Sequence, residues 1–421
     1  MDRGMSLNTA LPPGAPSRST WQIWTAAPHR VMFLLGVTQT VLTVAWWLID
    51  LGGRYAGWYA APSWTVPPGW AHAFLMVYAL FPLFVFGFTM TAVPNWTGRR
   101  LDRPAWLGTA VPLAAGIALF YAGLVLDRGL AALGVAFMLA GWLTGVFHLA
   151  RLVAANRAKD KHALGLVVVL CIGAAGVALF GWSLHSGDWR HAEVSRRASM
   201  WLFLLPLFMV VSHRLIPFFS SRVIRHYVIY RPRGSLLMLA TGCGAHFLLE
   251  LYALTQWTWL VDFPMAAWVG YLALRWGLTQ SFRVKLLSML HLALVMLAAA
   301  LAFHGVASLA ELLGYPGLFG LGPLHALAIA YFTAMTVAMV SRVSLGHSGR
   351  ALEADPLTWR CFQAVLAVAL IRVVSDFAFL PAGARIGLLL AAAAAWLAVL
   401  GPWSARYAPM YLRPRADGKP G

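Results

Sequence analysis

Long apolar runs alternate with short polar segments along nearly the whole chain. Each run holds about 20 residues with few charges, which is the length that a helix needs to cross about 30 Å of hydrocarbon. The pattern therefore predicts an all-α, multi-pass membrane protein with twelve transmembrane helices. Their approximate ranges are 31–51, 70–93, 104–126, 129–151, 162–185, 198–220, 234–255, 258–279, 286–308, 317–341, 359–380 and 382–404.

The basic residues between these runs predict how the spans are oriented. With the N-terminus inside, 25 of the 32 Lys and Arg residues fall on inner segments and six fall on outer loops. This excess is what the positive-inside rule expects. Missing or adding one span would invert half of the pattern, so we expect twelve spans and both termini in the cytoplasm.

One membrane domain lies between two polar terminal segments of the chain. The first 28 residues are polar and rich in proline, without a cleavage site of small residues, so the first span is interpreted as a retained helix. We expect a disordered cytoplasmic segment at 1–28, the twelve-helix domain at 29–405 and a cytoplasmic tail at 406–421.

Composition supports the membrane assignment and excludes other classes. The chain is 60% hydrophobic and 11% charged, whereas soluble proteins carry about a quarter charged residues. The net charge of +18 is spread between apolar runs rather than on one soluble module, so we expect no nucleic-acid partner. The three cysteines have no CxxC spacing and are interpreted as buried apolar residues of the spans, namely Cys171, Cys243 and Cys361.

Three spans, the second, sixth and tenth, carry unusual polar segments. The second begins near His72 and ends in GFTMTAVPNWTG at 87–98, and the sixth ends in SHRLIPFFS at 212–220. The tenth begins at His325 and leads into SLGHSGR at 344–350. Their spacing of four helices suggests three four-helix units with one special helix in each.

Two of these histidines lie at similar depth. At 1.5 Å per residue, His325 lies about 25 Å from Arg342 and His72 lies about 33 Å from Pro94, which places both in the outer third of the membrane. Their helices are lined with Met and Phe, and two facing imidazoles suit a flat macrocycle with an axial ligand on each side. Imidazole also suits iron and copper. The alternative is that each histidine only hydrogen-bonds to a neighbouring helix.

Four segments in order resemble the NnrS family of haem- and copper-containing membrane proteins. Residues 87–98 are similar to the family's GFLLTAVPNWTG, 213–220 to its GRVIPFFT, and 325–350 to a stretch that ends in SLGHTGR. Leu290-His291-Leu292 resembles a further leucine-histidine position. Together they cover most of a twelve-span chain, which makes the resemblance specific.

The resemblance implies a bacterial inner-membrane protein that binds haem and copper and is linked to denitrification. It implies nitric oxide, or an iron adduct of it, as the partner besides the lipid bilayer. The cofactor-binding candidates are then His72, His325, His291 and His347, with His72 and His325 as the metal ligands.

The chain departs from the family at the start of the second span. The family reads HAHEM there, whereas Phe74 and Leu75 stand in this chain for the second histidine and the glutamate. A metal site that used those two side chains would be altered. His213 stands where the family usually has glycine, and it offers a compensating ligand.

Two other function classes share a twelve-helix architecture. A haem–copper oxidase needs adjacent histidines and an HxH pair, and no two histidines of this chain are adjacent or one residue apart. A secondary transporter would need intramembrane carboxylates, and Arg372 is spaced i, i+4 from Asp376, so the two are expected to neutralise each other. The sequence assigns no catalytic reaction.

Overall fold

Helices account for all regular structure in the residues that the structure describes. The computed structural model covers residues 19–156 and 160–418, and it has no strand within them. Its helices pack side by side through one continuous apolar core. The described chain is therefore an all-α bundle, as its hydropathy predicts.

Twelve long helices, numbered here α1 to α12, follow one another with short connections. They span Pro28–Arg54, Pro68–Thr97, Arg103–Leu126, Arg128–Ala154, Lys161–Ser186, Arg190–Val223, Ser235–Leu251, Trp259–Arg275, Lys285–Leu312, Gly322–His347, Pro356–Val374 and Ala382–Leu412.

Ten of these helices are long and apolar enough to cross a membrane within the described ranges. The other two, α7 and α8, have 17 residues each and occupy the places of the seventh and eighth predicted spans. The prediction of a multi-pass membrane protein with about twelve spans is confirmed.

The ends of the helices follow local chain chemistry. Proline at the first position opens α1, α2 and α11, where its missing N–H is not needed. Gly98 ends α2 and Gly187 follows α5, each with positive φ (65° and 77°), a conformation that glycine adopts without strain.

The chain ends differ in part from their predicted state. Residues 1–18 and 419–421 lie outside the described residues, so most of the predicted N-terminal segment does too. Thr20–Trp24 forms a short helix before α1, with Ser19 as a capping-box residue. At the other end α12 continues to Leu412, so the first residues of the predicted tail are helical.

The three special helices lie at the centre of the bundle. In their most apolar windows α2, α6 and α10 bury 83%, 72% and 78% of residues, compared with 28–61% in the other seven long spans of the described chain. Each of the three contains a π-helical segment: Leu75–Leu80, Ser199–Leu204 and Ala326–Thr333. Such segments are rare and frequent at functional sites. This shared feature supports their equivalence in the three proposed units.

Three phenylalanine rings, one from each central helix, pack together at one junction. The Phe81 ring centroid is 5.9 Å from that of Phe208 and 6.0 Å from that of Phe332, and the last two are 5.0 Å apart. Offset and edge-on aromatic pairs of this kind add to packing. The junction joins α2, α6 and α10 within their π-helical segments or up to four residues after them.

The predicted orientation can be tested with two exposed loop residues. In a variant without native cysteines, we expect Trp58→Cys, between α1 and α2, to react with a membrane-impermeant maleimide in intact cells. Val228→Cys, between α6 and α7, should react only after the membrane is opened; their side chains are 62% and 83% exposed. The reverse labelling would contradict the assignment of inside and outside.

Candidate cofactor-binding site

His72 of α2 and His325 of α10 line the same cavity. It has a volume of about 260 Å³ and lies between α1, α2, α6, α10, α11 and α12. Its walls are largely aliphatic and aromatic, and they include Trp47, Met76, Phe81, Leu324, Ala328 and Trp396. The structure therefore brings together the two imidazoles that the sequence singles out.

A carboxylate fixes the ring orientation of His325. Its Nδ1 is 3.0 Å from Oδ2 of Asp376 and 2.9 Å from the carbonyl oxygen of Leu321. Both partners are acceptors, so Nδ1 donates, and the lone pair of the neutral ring lies on Nε2. Metal-ligating histidines have their second ring nitrogen held in this way.

Arg372 completes the support of that carboxylate. Its Nη1 is 2.7 Å from Oδ2 of Asp376, so the expected pairing of the two residues is confirmed as a contact. The bond from Asp376 to His325 was not foreseen, because Asp376 lies just after α11, His325 lies on α10, and the two residues are 51 positions apart.

His72 is held differently, by stacking rather than by hydrogen bonds. Its ring lies 4.2 Å from the ring of Trp47 with planes 17° apart. Its buried Nδ1 has no hydrogen-bond partner among the described residues. A buried polar atom without a partner costs about 1–3 kcal/mol, and this nitrogen is available to a ligand or to a water molecule.

The donor set and walls of the cavity fit a haem group. Two imidazoles face a space lined by apolar side chains, and two cations, Arg196 and Arg372, also line it. Guanidinium groups pair well with carboxylates such as those of haem. The cavity is slightly smaller than the roughly 300–1,000 Å³ of ordinary small-molecule sites. A macrocycle would therefore require flexible lining side chains such as Met76 to move.

The other two cofactor candidates lie outside this cavity. His291 of α9 is fully buried, with Nε2 3.1 Å from the hydroxyl of Ser220 on α6. His347, at the end of α10, packs against His29 of α1 with ring centroids 4.4 Å apart. The structure thus separates His291 and His347 from the pair formed by His72 and His325.

None of the three residues that differ from the family sequence lines the cavity, and two of them are apolar residues that pack inside the bundle. Phe74 stacks on Phe180 at 4.3 Å, and Leu75 is fully buried where the π-helical segment of α2 begins. Neither residue lines the cavity. His213 does not line it either, since its Nδ1 is 3.1 Å from Nε2 of His162 on α5.

Fold and site together define a class: a multi-pass helical membrane protein with two imidazoles in one buried cavity. Comparison with protein families identifies one family within this class. The family model described as NnrS protein matches residues 23–415, nearly the whole chain. The chain belongs to the NnrS family. A search of curated proteins finds no match.

Asp160 at the start of α5 joins α5 to α6 near the His162–His213 pair. Its side chain caps α5 and its Oδ2 lies 2.5 Å from Nη1 of Arg214. Burial by itself would raise the pKa of this carboxyl. Hydrogen bonds from the backbone N–H of Ala163 and from Arg214 outweigh burial and hold the pKa below its ordinary value.

We expect Asp160→Asn to lower the unfolding free energy in detergent by about 1 kcal/mol at pH 7, through the lost ion pair with Arg214, because the Asn side chain still accepts the capping hydrogen bonds. Because its folded pKa is depressed, the contribution of Asp160 is present above the ordinary value of about 3.9 and is lost as pH falls through the folded pKa. Thermal melts at pH 7 and pH 3 measure both effects. Asp102→Asn is the matched control, since Asp102 precedes α3 without a side-chain cap, and equal melts for both variants would contradict the assignment.

Proposed function

We propose that this protein binds haem between His72 and His325 and acts in protection against nitric oxide. The observation that carries the proposal is that both imidazoles line one apolar cavity and that Asp376 orients one of them. Intramembrane ionisable groups mark functional sites because hydrocarbon penalises them elsewhere. The resemblance to haem-containing relatives points to the same cofactor.

The two imidazoles would hold the iron with unequal strength. His325 offers Nε2 while Asp376 and the Leu321 carbonyl hold Nδ1, which makes it the anchored ligand. His72 has only the stacking contact with Trp47. His72 would therefore be the more weakly held of the two imidazoles.

The haem would supply an iron that binds nitric oxide, and the protein would supply the surroundings. Arg196 and Arg372, each of which also pairs with a carboxylate of the chain, would pair with the haem carboxylates, while Trp47, Met76 and Trp396 would exclude water. We propose a bacterial inner-membrane location with both ends cytoplasmic, which follows from the charge distribution and the family. Nitric oxide would be bound at this one site.

Copper binding is also a proposal, and fewer observations support it than support haem binding. Within residues 19–156 and 160–418, no three His, Cys, Asp or Glu side chains converge in a way that could hold a metal ion. A copper ion would therefore be held by two such side chains at most, or would need side chains to move.

The optical spectrum of the detergent-purified protein tests the haem site. We expect a Soret band that shifts on reduction and again with nitric oxide. His72→Ala and His325→Ala should each lose most of the bound haem, since each removes one of the two imidazoles that would hold it. His185→Ala is the control, because His185 is exposed at the end of α5.

Two outcomes would contradict the proposal. One is a Soret band that survives in the double variant His72→Ala/His325→Ala, which would place haem elsewhere. The other is a colourless protein that moves a solute across liposomes, which would favour a transporter.

Asp376→Asn tests the orienting contact. The amide can accept from Nδ1 of His325 but carries no charge, so the imidazole becomes a weaker ligand. We expect haem affinity to fall about 10–100-fold, as measured by transfer to apomyoglobin. Asp355→Asn is a matched control, as Asp355 caps the same helix at its other end; equal haem loss there would indicate a general loss of fold.

A further inference from the structure

A second group of ionisable side chains lies among α6 to α9. His246 of α7 is 2% exposed and Asp262 of α8 is fully buried, with Nδ1 and Oδ1 2.7 Å apart. Oε1 of Glu250 lies 3.5 Å from Nε2 of the same ring. The ring of His304, from α9, lies edge-on to His246 with centroids 5.5 Å apart. These four residues are called the His246 cluster.

The cluster has groups that can take up a proton. A neutral imidazole donates from one nitrogen only, and Nδ1 of His246 is hydrogen-bonded to Asp262. The carboxylate of Glu250 lies 3.5 Å from Nε2, so a ring that gained a proton would lie between two carboxylates. Two further atoms, Oδ2 of Asp262 and Nε2 of His304, are buried and have no partner among the described residues.

Several other groups face the cluster. Trp201 of α6 stacks on the His246 ring at 3.4 Å, which favours a cationic ring. Arg196 and Arg197 pair with Glu193 at the start of α6. The remaining titratable neighbours are Cys243 of α7 and Glu311 of α9.

Water can reach the cluster through a second cavity. It has a volume of about 220 Å³ and is lined by His246, Glu250 and His304. Since a water molecule occupies about 30 Å³ of liquid, several can fit. Four residues line both this cavity and the one beside His72: Arg196, Met200, Leu321 and Leu324. One layer of side chains therefore separates the cluster from the proposed haem site.

We propose that the His246 cluster takes up one proton from water when a one-electron reductant adds one electron to the neighbouring haem. The proposal rests on the proposed function. The electron reduces ferric to ferrous iron, and the proton binds to an unprotonated group of the cluster, so the local net charge is unchanged. An uncompensated charge would be costly here because the surroundings have a low dielectric constant.

The pH dependence of the haem midpoint potential tests this coupling in the purified full chain. Uptake of one proton per electron predicts a slope of about 59 mV per pH unit. We expect a slope approaching that value between pH 6 and pH 8 in the wild type and a much smaller slope in Asp262→Asn and His246→Gln. Asp188→Asn is the control, because this carboxylate lies on an exposed loop.

A flat wild-type potential, or an unchanged slope in both cluster variants, would overturn the inference and leave haem binding intact. Absence of a Soret band would instead overturn the proposed function. The cluster is then tested by itself, by infrared difference spectra between pH 6 and pH 8. A titrating carboxyl or imidazole band that is lost in Glu250→Gln, a milder variant, would support proton exchange by the cluster. If no band titrates, the inference of proton exchange is wrong.

Discussion

The packing of three central helices is the constraint on which the rest of the structure depends. In hydrocarbon, helices gain little from the hydrophobic effect and associate through close packing and interhelical hydrogen bonds. The contacts among Phe81, Phe208 and Phe332 join α2, α6 and α10 at the middle of the bundle. With those helices in place, the residues before the junction, His72 and His325 among them, surround one cavity.

The same lack of water explains why the buried imidazoles have partners. His325 is bonded to Asp376, His246 to Asp262, His213 to His162, and His291 to Ser220. Each contact joins two different helices or a helix and a loop, so each also helps to hold the bundle together. His72 is held instead by stacking on Trp47, and its Nδ1 has no partner among the described residues.

Much of the site followed from sequence, and the missing parts have a common cause. His72 and His325 were recognised because a histidine in an apolar run is costly wherever it lies. Trp47 and the bond from Asp376 to His325 were missed, because aromatic residues are common in spans and Asp376 already had a local partner in Arg372. Asp262 was missed for a similar reason: it lies near the start of a predicted span, where a carboxylate usually faces water.

By itself the sequence determined the number and order of the helices, because crossing hydrocarbon imposes a minimum length and an apolar composition that can be counted. It also marked α2, α6 and α10 as different through their polar segments. Only the tertiary structure decided which histidines meet, since that depends on helix rotation and on contacts between residues far apart in the chain. It placed His72 and His325 around one cavity, left His291 and His347 elsewhere, and assembled the His246 cluster from α7, α8 and α9.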